Sequence, residues 1–100
     1  MQTDARIYLE NNHVFVSGEI NFDTTVSLWN HSLPFFSHPE ELIFDFSGVT
    51  KTNSAGLALL LEWIKYAKQA KKRIIFKNLP AQLTSVAAVA GINKLLVDYI

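Results

Sequence analysis

The stretch LIFDFSGVTKTNSAGLALLL, residues 42–61, changes its hydrophobic period halfway along. From Leu42 to Val49 apolar side chains fall on both alternating sets of positions, the pattern of a central strand covered on both faces. Three small polar residues follow, Thr52, Asn53 and Ser54. From there Ala55, Gly56 and Leu57 lead into an almost wholly apolar helix, expected to reach about Lys71. A strand that feeds directly into a helix is the unit of an α/β fold.

Outward from this unit the chain alternates strand and helix. RIYLE (6–10) and HVFVSGEI (13–20) alternate in polarity across Asn11-Asn12, a two-residue hairpin signal. Asp23 or Thr24 caps a helix expected to carry Val26, Trp29, Asn30 and Leu33 on one face, ended by Pro34. FFSHPEE (35–41) reads as loop and RIIFKNL (73–79) as a further strand. Pro80 suits the first turn of a third helix to about Ala90, and Gly91 suits its stop, before a short helical tail from Ile92 to Val97. The order β-β-α-β-α-β-α predicts one domain over residues 1–100. Its sheet is mixed, of four to five strands, with helices mainly on one face.

Composition removes several classes of function. The chain has no cysteine, which excludes disulfides, thiolate metal sites and thiol catalysis. Nine basic residues balance nine acidic ones, without the basic excess that phosphate binding to nucleic acid requires. MQTDARIYLENN has no signal-peptide pattern, and the run Leu57–Leu61 is far short of the ~20 apolar residues of a membrane span. The expectation is a small cytoplasmic protein without membrane insertion.

Catalytic signals are missing too. No glycine-rich phosphate loop is present, and Ser54 is not in a Gly-x-Ser-x-Gly context. His13, His31 and His38 lack metal-ligand spacing, and no histidine is placed to link Asp45 and Ser54 in a relay. The expectation is a protein that is not an enzyme, with no metal and no cofactor. Lys65, Lys68, Lys71, Lys72 and Arg73 are read as complementing the negative end of the long helix.

That helix has more apolar surface than one sheet needs. Leu57, Leu60, Leu61, Ile64 and Ala67 share one face at 100° per residue. Leu59, Trp63, Tyr66 and Ala70 form a second stripe on its shoulder. Two readings are open: a neighbouring helix of the same domain covers the shoulder, or Leu59, Trp63 and Tyr66 wait for a protein partner. Ser54 has two readings as well. It is expected to cap the helix, although Asn53 could do the same work, and Leu57 stands where a capping box needs Glu. It also lies at the carboxyl end of a strand and the positive end of a helix, where a partner or a phosphate is favoured.

Together FDFSGVTKTNSAGLALLLEWIKYAKQAKKRIIFKNLP and VSGEINFDTTVSLW resemble the STAS family of anti-sigma-factor antagonists and sulfate-transporter tails. Asp45, Ser47 and Val49 match its strand motif. Asn53-Ser54-Ala55-Gly56-Leu57 matches its loop, with Asn53 in place of Asp and Ala55 in place of a second hydroxyl; Asn21 likewise stands where Asp is common. The branch most similar is the STAS subunit of the Mla phospholipid ABC transporter. That resemblance implies a non-catalytic subunit bound to the transporter's ATPase and, through it, to the permease, serving outer-membrane lipid asymmetry. It implies a contact or regulatory surface at Thr52, Asn53, Ser54, Ala55, Gly56, Leu57, Leu59, Trp63 and Tyr66, with Asp45 supporting the loop. The alternative is an anti-sigma-factor antagonist, partnered by an anti-sigma factor or serine kinase that phosphorylates Ser54.

Overall fold

A computed structural model describes residues 5–100. Its elements are β1 (Ala5–Glu10), β2 (His13–Ile20), α1 (Thr25–Ser32), a 3-10 helix (Leu33–Ser37), β3 (Leu42–Thr52), α2 (Ser54–Ala70), β4 (Ile74–Lys77), α3 (Ala81–Val89) and α4 (Asn93–Val97). The described strands form one mixed sheet in the order β1-β2-β3-β4. The β1–β2 hairpin is antiparallel, while β2, β3 and β4 run parallel, as helical crossovers require. Asn11 makes the hairpin turn with φ of 56°, a left-handed conformation that Asn tolerates.

One face of the sheet carries the core. Val14, Val16, Phe44, Phe46, Ile74 and Phe76 are buried on it, beneath Leu60, Trp63, Ile64 and Ala67 of α2. The Trp63 ring lies 4.6 Å from that of Phe44 and 6.2 Å from that of Phe46. The other face differs from the expectation that β3 is covered on both sides. The buried residues of all four helices join the one cluster, so Ile43 and Ile75 opposite stay half-buried and Tyr8 stacks in the open on Phe15 at 5.2 Å.

Three further expectations are corrected. The inward face of α1 is Leu28 and Ser32, one turn apart, whereas Val26 and Asn30 point to solvent. Part of the expected loop, Phe35 to Ser37, is a 3-10 turn that drives Phe36 into the core. The third strand continues past Val49 to Thr52, because Gly48, Val49, Lys51 and Thr52 pair with β2 across two register irregularities.

Helix ends account for the remaining boundaries. α2 closes with Lys71 at φ of 55° and the Lys72 amide donating to the Ala67 carbonyl. The Lys72 ammonium turns away from its own helix and donates to the carbonyls of His38 and Glu40. Gly91, at φ of 75°, ends α3 as its position suggests. Beyond α4 the Tyr99 carbonyl accepts the Phe76 amide, so the chain end lies along the outer edge of β4.

Candidate docking site at the amino end of α2

Parallel pairing sets the site. Ile20 ends β2 directly opposite Thr52 at the end of β3. The segments that follow, Asn21–Thr24 and Asn53, therefore emerge side by side at the carboxyl edge of the sheet, and α1 and α2 both begin there. This is the edge at which α/β sheets present ligands and partners.

Each turn is held by its own polar residues. The Asn21 Oδ1 accepts the amides of Asp23 and Thr24 at 2.8 and 3.1 Å, and its Nδ2 donates to Glu19 Oε2. Thr24 stands at the N-cap of α1, but its hydroxyl accepts the Asn21 amide and donates to the Glu19 carbonyl instead of capping. These bonds close a tight turn on 19–24 that pushes Phe22 outward. At α2 the cap is Asn53, whose Oδ1 accepts the Ala55 amide at 2.8 Å. The expectation that Ser54 is the cap is corrected: it is the first helical residue, exposed, and no side-chain hydrogen bond among the described residues uses its hydroxyl.

Thr52 and Gly56 form the floor. The buried Thr52 amide donates to Gln82 Oε1 of α3 at 2.9 Å. A Cβ on Gly56 would lie 2.2 Å from Thr52 Oγ1 and 3.3 Å from Leu83 Cδ1, so only glycine lets the first turn of α2 settle on that threonine.

Beside this turn, α1 and α2 leave an apolar groove of about 310 Å³. Phe22, Val26, Trp29, Ala58 and Leu59 line it, with Glu62 at its side. Phe22 is 70% exposed and Val26 67% exposed, although both are large hydrophobic residues.

The structure divides the predicted contact residues into three groups. Asn53 and Ser54 are exposed at the site. Thr52, Ala55, Gly56 and Leu57 are buried beneath it and shape it from inside. The shoulder is sealed: Leu59 is 4% and Trp63 0% exposed, and Tyr66 meets Trp29 and Phe36 edge-on at 5.6 and 4.9 Å. The Trp63 indole donates to Ser32 Oγ at 2.8 Å, and that hydroxyl donates to the Trp29 carbonyl. An unpartnered shoulder is therefore corrected; α1 and the 3-10 helix cover it, with only the Leu59 edge reaching the groove.

Asp45 belongs elsewhere. Six strand residues lie between it and Thr52, seven steps or roughly 23 Å at strand rise. Its Oδ1 accepts the Asn78 amide group at 3.0 Å and the Ser47 amide at 2.9 Å, which ties β3 to the turn after β4. The Asn78 bond is the largest influence and holds its pKa below the usual carboxylate value; burial opposes it, and the Ser47 amide adds a smaller lowering effect. The residues that sequence reasoning missed are Phe22, Val26 and Ala58. One signal was legible: Val26 and Leu28 lie 200° apart on a helix, so both cannot face inward.

The chain's architecture is similar to that in the structure of the anti-sigma factor antagonist SpoIIAA in its unphosphorylated form. The TM-score is 0.68, with 91% of this chain and 84% of that chain covered at 14% identity. At that identity the likeness is one of fold alone. A family model of the MlaB STAS domain matches residues 4–98, and the chain belongs to that family. No curated protein matches the chain in sequence.

Proposed function

We propose that this chain acts as a single STAS domain, the non-catalytic subunit that binds and supports the ATPase of a Mla-type phospholipid ABC transporter. Membership of the MlaB family supports the class of partner. The observation that carries the docking surface is the open groove between α1 and α2, with Phe22 and Val26 exposed beside the Ser54 turn. A solvated protein gains nothing from two such side chains at one rim, whereas an interface core favours them. The contact would centre on that groove and take in Asn53 and Ser54. No helix among the described residues is long and apolar enough to cross a membrane, so membrane proximity would come through the partner.

A second reading rests on the hydroxyl of Ser54. It is exposed at the amino end of a helix whose first turn contains no acidic residue, a position where a phosphate is favoured. In that reading the chain is an anti-sigma-factor antagonist that a kinase switches at Ser54. Affinity purification of the tagged chain from its native cells, with mass spectrometry of co-purifying proteins, separates the two. An ABC ATPase with its permease is the expected result; an anti-sigma factor or serine kinase in its place, with phosphate on Ser54, would overturn the transporter reading.

A further inference from the structure

We infer that β1 is a self-complementary edge through which two copies of this chain pair, joining their four-stranded sheets into one. The first observation is that the outer edge of β1 is open. β1 is terminal in the sheet, pairs only with β2 among the described residues, and contains neither proline nor a bulge, the usual blocks on edge pairing. The second is a cleft of about 390 Å³ lined by Ala5, Arg6, Ile7 and Tyr8 with Leu28 and His31 of α1. Consecutive strand residues point to opposite faces, so a cleft that touches four in a row runs along the strand's edge, not over one face. It is the space a further strand would fill, roofed by α1.

The third observation fixes the occupant. The two-residue turn makes Glu10 and His13 a hydrogen-bonded pair, so Tyr8 and Arg6 also turn their backbone groups to β2. Those of Ile7 and Leu9 point outward. An antiparallel partner strand must then place Ile7 or Leu9 opposite outward-pointing residues of its own. With a second copy of β1 and a two-fold axis at Tyr8, Ile7 meets Leu9 of the other copy in hydrogen-bonded pairs, giving about four backbone bonds. The same register sets Arg6 opposite the other copy's Glu10 twice, in the pairs where side chains approach most closely. Neither Arg6 nor Glu10 has an ion-pair partner among the described residues, and both are exposed. An edge guarded by charge of one sign would repel its copy; this one carries opposite charges placed symmetrically about Tyr8. Ile7 and Leu9, half-buried in one copy, would cover each other beneath α1.

Sedimentation velocity across the micromolar range tests this, with circular dichroism to confirm that each variant is folded. The wild-type chain is expected to form a dimer. Arg6→Glu and Glu10→Arg alone are each expected to weaken it about tenfold or more, since each creates two like-charge pairs, and the double exchange is expected to restore it. Ile7→Pro removes an outward amide that β2 does not use, and should give a folded monomer. A wild-type chain that stays monomeric throughout, or an edge filled only by a strand of another protein, would overturn the inference. So would single exchanges without effect, or a double exchange that fails to restore the dimer.

Discussion

The two flanks of α2 treat apolar side chains in opposite ways. Toward its middle and carboxyl end, Tyr66 lies against Phe36 and Trp29, Trp63 packs on Phe44 and Phe46, and the indole nitrogen has a buried hydroxyl partner. At its amino end Ala58 and Leu59 face a groove whose far wall, Phe22 and Val26, stands in solvent. Both regions are built by the same short helix, α1, which closes one and leaves the other open. Aromatic side chains alone therefore do not separate core from surface here, since Trp63 is sealed while Phe22 stands open at the proposed docking groove.

This contrast is breakable by substitution, most forcefully on the closed side. Trp63→Ala empties a fully buried site and should cost about 3–5 kcal/mol in denaturant unfolding. A loss under about 1 kcal/mol would mean the shoulder is not part of the core. Ser32→Ala leaves the Trp63 indole without a partner and should cost about 1–3 kcal/mol; replacing both residues should cost less than the sum. On the open side the cap separates two adjacent residues. Asn53→Ala should lose about 1 kcal/mol with its bond to Ala55, whereas Ser54→Ala should stay within about 0.5 kcal/mol in the same melts. A larger loss at Ser54 than at Asn53 would return the cap to Ser54.

The smallest effect concerns Asp45, remote from the groove. Its folded pKa is depressed, so the stability it adds is present above its unfolded value, ~3.9, and is lost as pH falls through the folded one. Asp45→Asn should lower the neutral plateau slightly and flatten the acid side of a stability–pH profile, so that the two profiles converge at low pH. A variant with the wild-type acid slope would remove Asp45 from that account.

The sheet and α2 were legible because their patterns are strong. Alternation across Asn11-Asn12 gave the hairpin, and the change of period after Thr52 gave the β3–α2 unit with its polar cap residues. The misjudged parts share a physical cause: their placement depends on distant partners. α1 turns Ser32 inward because that hydroxyl serves the Trp63 indole, so a hydrophobic count rotated the helix and hid Val26 as a surface residue. The end of β3 is polar and glycine-containing, and only its pairing with β2 holds it extended to Thr52. The proposed groove opens beside the turn that follows, and its exposed wall, Phe22 and Val26, carries no pattern of its own in the sequence.

The most direct test of the open groove is the affinity of the co-purifying ATPase for the chain carrying Phe22→Glu and Val26→Arg together, measured by isothermal titration beside a thermal melt. Both side chains point to solvent, so the melt should stay close to the wild type, while binding should weaken at least about tenfold. Wild-type affinity in a folded double variant would contradict the account and place the partner on another face of the domain.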